Sequence, residues 1–210
     1  MMTATARMPV AMLLLLPCAL HLTSGQASQQ HASKALPASA RKLVAVDVTG
    51  TKRYTPEEVL AASGLRIGEE VSDDDFKKAS RQLGETGAFT DIAYSFSYSV
   101  AGTKLEFKLV DSSKVFPVHF EDFVWFTDED LHRRIKEHVP LFKGELPSAG
   151  RMPDEVSDVL QAMLVEKNVP GHVNYERTEG PNGQVQAFDY SVSDVLIRVR
   201  SVTFTGASAS

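Results

Sequence analysis

The sequence predicts an α+β fold in which two tandem units each run strand, helix, helix, strand, strand. Apolar residues alternate with polar ones at the beginning and end of each unit, which is the periodicity of strands. Between these strands lie two segments with helix start signals and helical spacing of apolar residues. Because this order recurs along the chain, we expect each unit to form a three-stranded mixed sheet that two helices cover on one face.

The first unit is expected over residues 42–112 and begins with alternating valines, Val44, Val46 and Val48. Thr55 is expected to cap the first helix, because proline follows it and Glu58 stands at the capping-box position. Ser72 is expected to cap the second helix, whose first turn is acidic, and Gly87 to end it in a left-handed conformation. Two alternating strands follow, and the first of them places apolar side chains on one face: Ile92, Tyr94, Phe96 and Tyr98.

The second unit is expected over residues 113–195, where the same signals return in divergent form. Thr127 is expected to cap its first helix. Asn168 takes the place of Gly87, because asparagine is the next-best residue for a left-handed cap. Asp122 stands where the first unit has a turn glycine, and the connector between the two helices is longer than in the first unit.

Both ends of the chain carry signals outside these units. Residues 1–27 have a positive start, a short apolar centre and a small-residue cleavage site, which predicts a secretory signal peptide. The alternative is that this apolar run is retained as a membrane anchor. Residues 28–41 are rich in Ala, Ser and Gln and are expected to form a flexible leader. Residues 196–210 repeat the opening strand and turn, which predicts the truncated start of a third unit.

Composition and spacing argue against several classes of function. The formal net charge is −5 and no more than two basic residues stand side by side, so we expect no nucleic-acid partner. The histidines are dispersed, and no nucleotide-binding or nucleophile motif occurs, so we expect no metal, no cofactor and no catalytic residue. A secreted enzyme on an unrecognised α+β fold is a further alternative. The aromatic cluster of Phe123, Trp125 and Phe126 is expected to serve the core or an interdomain contact rather than a ligand site.

Four motifs of the first unit resemble a known family. They are V-D-V-T-G-T at residues 46–51, T-P-E-E-V-L at 55–60, L-R-I-G at 65–68 and L-G-E-T-G-A-F-T-D-I at 83–92. Together they resemble the POTRA domain, also called the surface antigen variable number repeat, in the region that precedes the β-barrel of a Bam-type outer-membrane assembly protein. The second unit departs from the pattern, with Pro170 where the first has Phe89.

This resemblance implies a non-enzymatic module exported to the periplasm, at the periplasmic face of the outer membrane. The implied partners are unfolded outer-membrane proteins or subunits of the assembly machinery, with a C-terminal barrel in the outer membrane if the chain is a fragment. The alternative function is a stand-alone or membrane-anchored periplasmic scaffold, as in division-site proteins. Whether the task is assembly or secretion is left open.

In this topology the second strand of each unit is expected at a sheet edge, where unpaired main-chain groups can accept an extended client as a new strand. Net energies of about 0.5–1.5 kcal/mol for each hydrogen bond predict weak and reversible capture. The candidate client-binding residues lie on these two strands: Asp91, Ala93, Ser95, Ser97, Ser99, His172, Asn174 and Glu176.

Overall fold

The structure is a computed structural model that describes residues 38–195. The first unit consists of a 3₁₀ helix (Ala38–Arg41), β1 (Leu43–Thr49), α1 (Pro56–Ser63), α2 (Asp73–Glu85), β2 (Phe89–Ser99) and β3 (Gly102–Asp111). The second unit consists of β4 (Val115–Phe120), α3 (Asp128–His138), β5 (Glu145–Pro147), α4 (Met152–Glu166), β6 (His172–Glu179) and β7 (Val185–Ser193). The predicted signal peptide (1–27), the predicted leader up to residue 37 and the predicted third unit (196–210) lie outside the described residues.

Both sheets are mixed, which confirms the predicted α+β class. In the first sheet the strand order is β1-β3-β2, with β1 parallel and β2 antiparallel to β3. In the second sheet the order is β5-β4-β7-β6, with β4 parallel and β6 antiparallel to β7. The last strand of each unit therefore lies inside its sheet, and the strand before it lies at an edge.

The second sheet has one strand more than predicted, because the longer connector between α3 and α4 forms β5. β5 pairs antiparallel with the first half of β4. In the first unit the shorter connector makes only an isolated antiparallel bridge between Glu70 and Lys42, beside β1. The longer connector of the second unit thus extends a contact that the first unit already makes. In both units the connector between the two helices covers the free side of the first strand near its start.

The helix and turn signals lie where the sequence predicts them. The Thr55 hydroxyl accepts a hydrogen bond from the Glu58 N–H (3.3 Å), and the Glu58 carboxylate accepts one from the Thr55 N–H (3.0 Å). Asn168 has a φ of 56° and matches Gly87, whose φ is 78°. Asp122 has a φ of 64° and also adopts the left-handed conformation, as its place in the turn after the first strand requires.

The start of the first unit differs from the prediction in two respects. Val44 is 40% exposed, whereas Leu43 is fully buried, because a bulge between Leu43 and Ala45 reverses the alternation before the rest of β1. In addition, the ordered structure begins before Lys42. The carbonyl of the buried Ala40 accepts a hydrogen bond from the Thr103 hydroxyl (2.6 Å), which ties the 3₁₀ helix to β3.

Helices and sheets enclose one continuous cluster of buried apolar residues that runs through both units. Fully buried aromatic residues stand in both sheets and in α2: Phe76, Phe107, Phe188 and Tyr190. Among residues 38–195, no helix has the length and hydrophobicity needed to cross a bilayer. The same residues contain no group of three or more side chains suited to hold a metal ion.

Candidate functional site

The long edge strand β2 is the principal candidate site. It spans Phe89–Ser99 and pairs along its length with β3, while its other side has no strand beside it in the described part of the chain. An edge of this kind presents main-chain N–H and C=O groups that another strand can pair with. Whether a further strand could pair with this edge depends on which residues turn their main-chain N–H and C=O groups away from β3.

The hydrogen bonds of β3 identify the outward residues of β2. The Thr103 N–H donates to the Lys42 carbonyl (2.7 Å), on the β1 side of β3. Because main-chain groups alternate in direction along a strand, Tyr98, which stands opposite Thr103, forms a non-hydrogen-bonded pair with it. The same alternation turns the main-chain groups of every second residue toward the open edge: Ile92, Tyr94, Phe96 and Tyr98.

The side chains of this outward row pack under α2 and are half-buried. The Phe96 ring lies 4.8 Å from the Phe76 ring, between their centroids, and 5.3 Å from the Tyr98 ring. The Tyr98 hydroxyl donates to the Asp73 carboxylate in the first turn of α2 (2.8 Å). Partial burial and this hydrogen bond raise the pKa of the Tyr98 hydroxyl above its usual value. A strand added at this edge would run along α2 and meet the uncovered parts of these rings.

The predicted site residues of the first unit lie on the opposite face of β2. All five are exposed, and they stand in register with β3 from Val110 to Gly102. By the alternation described above, their main-chain groups bond to β3, so only side chains can face an added strand: Asp91, Ala93, Ser95, Ser97 and Ser99. The Ser99 hydroxyl itself donates to the Gly102 carbonyl (2.8 Å). This face is uncovered and carries small polar groups, which would leave room for the side chains of an added strand.

In the second sheet the edge strand equivalent to β2 is β6, and part of its outward main chain is already hydrogen-bonded. The carbonyl of Tyr190 accepts a hydrogen bond from the Glu121 N–H (2.7 Å), so Tyr190 turns its main-chain groups toward β4 and its partner Tyr175 turns outward. Val173 also turns outward, and its N–H donates to the Gln161 side chain of α4 (2.9 Å).

Gln161 closes the beginning of this second edge. Its amide nitrogen also donates to the Gly171 carbonyl (3.1 Å), so one side chain satisfies an outward donor and the acceptor just before the strand. Two exposed charged residues, Glu176 and Arg177, follow along β6. Charged side chains are a common means of discouraging strand addition. β6 therefore has fewer unbonded outward main-chain groups than β2, and the side chains around them are more polar.

The other predicted site residues lie on β6. His172, Asn174 and Glu176 are exposed on the face away from α4, and the Asn174 side chain donates to the Ser193 hydroxyl (2.7 Å). They belong to a different sheet from the β2 residues, so the structure forms two separate edges and not one combined site.

Sequence reasoning missed two features of these edges. Alternation of apolar residues reveals which side chains share a face, but not which main-chain groups turn outward. That direction depends on the pairing register with β3 and β7. Gln161 was also missed, because a polar residue within a helix has no distinguishing pattern and its target lies on a strand that the sequence places only approximately.

No family model matches the chain, and no curated protein matches it. Among solved structures, it is similar to the N-terminal domain of Omp85 from Thermosynechococcus elongatus, at 16% identity over 72% of this chain and 61% of that chain, with a TM-score of 0.34. It is also similar to POTRA1-2 of the periplasmic domain of Omp85 from Anabaena, at 14% identity over 76% and 96% of the two chains, with a TM-score of 0.33.

A further similarity is to POTRA3-5 of BamA from Haemophilus influenzae, at 12% identity over 84% of this chain and 76% of that chain, with a TM-score of 0.31. The chain spans about three fifths of the length of the Thermosynechococcus structure. The Anabaena and Haemophilus structures consist of POTRA domains, the family that the motifs of the first unit resemble.

Proposed function

We propose that this chain is a periplasmic binding module that captures extended protein segments by adding them as a strand to β2. The observation that carries the proposal is the outward row of β2, where four successive outward residues have main-chain groups that no other described residue covers. The predicted signal peptide supports export to the periplasm. The motifs of the first unit support a role beside outer-membrane protein assembly.

The energetics favour transient capture. Each hydrogen bond along the edge contributes about 0.5–1.5 kcal/mol net. Association costs about 4–15 kcal/mol in lost freedom of motion, so a few such bonds give only weak binding unless side-chain contacts add to them. The half-buried Tyr94 and Phe96 provide apolar surface for those contacts. Since main-chain pairing is insensitive to sequence, the edge would accept many clients and release each of them.

The clients that fit this edge are unfolded outer-membrane proteins or accessory subunits of an assembly machinery. Barrel precursors consist of segments with alternating apolar and polar residues. Such a segment, paired with β2, would place its apolar residues beside the row of Tyr94 and Phe96 and its polar residues beside Ser95 and Ser97. The client segment would thus match the apolar face of β2 with apolar residues and its polar face with polar residues.

Photo-crosslinking from Ser95 in the exported protein tests this proposal, with Asp47 as the matched control. Both residues are exposed on the uncovered face of the first sheet, but Asp47 lies on β1, at the far side of β3. A strand added to β2 would lie about 5 Å from β2 and about 15 Å from β1. We expect crosslinks to extended client segments from Ser95 and few from Asp47. Equal yields at the two positions, or none from Ser95, would contradict capture at β2.

A further inference from the structure

One stripe of α2 faces the open edge of β2 along its whole length. At the start of the helix, Asp73 accepts the hydrogen bond of Tyr98 near the end of β2. At its other end, Gly84 lies over Ile92 near the start of β2. Helical spacing places four residues of α2 in this stripe: Asp73, Lys77, Ser80 and Gly84. A strand added to β2 would therefore turn every second side chain toward this stripe.

Gly84 is a glycine that the described fold does not require. Its backbone is helical and not left-handed. A Cβ atom added there would lie 3.7 Å from the Ile92 Cδ1 atom, which is an ordinary van der Waals contact. Glycine within a helix is less stable than alanine. The glycine thus weakens α2 and leaves the space over Ile92 unfilled.

The second unit fills the matching space. From the second helix to the edge strand the two units match without a gap, so Gly84 matches Val165 and Ser80 matches Gln161. Val165 has a branched side chain that is 65% exposed, and Gln161 reaches across to the Val173 N–H. The two small residues therefore stand beside the edge with the open main chain, and the two larger ones beside the edge that is partly bonded.

Two basic residues border the unfilled space. Arg81 stands three residues before Gly84 and Lys77 seven residues before it, so both lie on or next to the same face of α2. Both side chains are exposed and form exposed ion pairs, Arg81 with Glu85 (3.8 Å) and Lys77 with Asp74 (3.0 Å). Exposed pairs of this kind hold a side chain only weakly, so these cations can turn toward a ligand.

This combination suits an aromatic ring. A flat ring can pack on the Ile92 side chain and on the bare backbone of Gly84, while the guanidinium of Arg81 lies against its negative face. An aliphatic side chain gains the first contact but not the second. The second unit offers neither cation, because Ala162 matches Arg81 and Asp158 matches Lys77.

We propose that Ser80, Arg81, Gly84 and Ile92 form a subsite for one aromatic side chain of the client strand. The proposal rests on the capture at β2 proposed above and adds a preference to it. Side chains on one face of an added strand stand about 7 Å apart, so only the one beside Ile92 reaches Gly84. The favoured clients are strands with phenylalanine, tyrosine or tryptophan at that single position.

Binding of two peptides to the exported protein tests the subsite. Both are extended nine-residue peptides of alternating valine and threonine with lysine at each end. They differ only at the central valine, which is phenylalanine in one peptide and alanine in the other. We expect the phenylalanine peptide to bind about tenfold more tightly in fluorescence anisotropy, a ratio that corresponds to about 1.4 kcal/mol.

Gly84→Val should reduce this ratio to about twofold or less, because valine fills the space as Val165 does in the second unit. The alanine peptide should bind as it does to the wild-type chain. Lys78→Val is the matched control, since it places the same side chain on the exposed surface of α2, and it should keep the full ratio. Arg81→Gln should lower the ratio about two- to fivefold, as expected for loss of an exposed cation–aromatic contact.

A benzophenone in place of the central side chain locates the ring, and its crosslinks should fall on α2 between residues 80 and 84. Equal binding of the two peptides by the wild-type chain would overturn the subsite and leave strand capture intact, because both peptides pair through their main chain. A full ratio that persists in Gly84→Val, or crosslinks at the Asp73 end of α2, would also overturn the subsite. If neither peptide bound, strand capture at β2 would itself be wrong.

Discussion

The two edge strands of this protein occupy equivalent places in equivalent sheets, yet they differ in how much of their main chain is free. β2 turns the main-chain groups of four residues outward, and no side chain of the described structure bonds to those main-chain groups. β6 begins with an outward N–H that Gln161 already occupies. The residue of α2 that matches Gln161 is Ser80, whose side chain has three heavy atoms fewer than glutamine.

This difference shows that a shared topology determines where an edge lies but not how many of its main-chain groups are open. Topology places both strands beside the last strand of their unit. One glutamine on the neighbouring helix, together with charged residues along the strand, then makes the second edge less accessible. If the proposed capture takes place at one of the two edges, β2 is therefore the better candidate.

The largest effect is expected on the free energy of unfolding, from a substitution where the two units that carry these edges are in close contact. Gly87→Ala should lower the free energy of unfolding by about 2–4 kcal/mol, because it combines a strained positive φ with overlap against Ala149. Gly68→Ala is the matched control: its φ is 93°, but no atom lies within 4 Å of the added Cβ. It should cost only about 1 kcal/mol. Equal losses in urea unfolding would argue against close packing of the units at Gly87.

Proline substitution in β2 tests the edge itself. Tyr94→Pro removes one outward N–H, and its ring obstructs an added strand, whereas Tyr94→Ala removes the side chain and keeps the N–H. Client crosslinking from Ser95 should fall about tenfold more in the proline variant than in the alanine variant, a factor equivalent to about 1.4 kcal/mol. Tyr175→Pro in β6 should change capture little. A larger loss from Tyr175→Pro than from Tyr94→Pro would reverse the assignment of the two edges.

Hydrogen exchange can measure the closure of β6 directly. The Val173 N–H should exchange slowly in the wild-type chain because Gln161 accepts its hydrogen bond. Gln161→Ala should speed its exchange several-fold, as expected for loss of a bond worth about 0.5–1.5 kcal/mol. In β2, the outward amides of Tyr94 and Phe96 should exchange faster than those of Ser95 and Ser97. Uniform exchange along β2 would show that the outward row is misassigned.

A smaller effect is expected from pH at the contact that holds the units together. Burial raises the pKa of Glu58, but the hydrogen bonds from Lys143 and the Thr55 N–H outweigh it, so the pKa lies below its ordinary value. A lowered pKa means that Glu58 contributes stability above its unfolded pKa of about 4.3 and loses it as the pH falls through the folded value.

Glu58→Gln isolates this contribution, because glutamine can keep the capping box and removes only the charge. At pH 7 the wild-type chain should be about 0.5–1 kcal/mol more stable than the variant. The difference should vanish at a pH below the folded pKa of Glu58. A difference in urea unfolding that stays constant down to that pH would contradict an ionic contact with Lys143.

The smallest effect compares the tyrosines that join each edge strand to its helix. Tyr98 donates to Asp73 (2.8 Å), and Tyr175 donates to Asp154 (2.7 Å). Tyr98→Phe and Tyr175→Phe should each cost about 0.5 kcal/mol or less in thermal unfolding, since both bonds are solvent-exposed. Neither change should alter client crosslinking. If Tyr98→Phe abolished crosslinking, the hydroxyl and not the main chain would be the main binding group.

Several elements of the fold were readable from local chemistry. Thr55 and Glu58 form the predicted capping box, and Asn168 adopts the predicted left-handed conformation. These signals depend on a few adjacent residues, so a linear pattern contains all the information needed. Val44 was assigned to the wrong face for the opposite reason: the bulge beside it depends on pairing with β3, which is distant in sequence.

The amino-acid sequence therefore sufficed for the repeat, for the order of its five main elements in each unit and for the edge position of β2 and β6, because caps and periodicity are local properties. It could not indicate which amides of β2 turn outward, that Gln161 closes the start of β6, or that the connector of one unit seats on the helices of another. Each of these depends on the register between strands or on side chains brought together from distant parts of the chain, and such distances become defined only when the chain is folded.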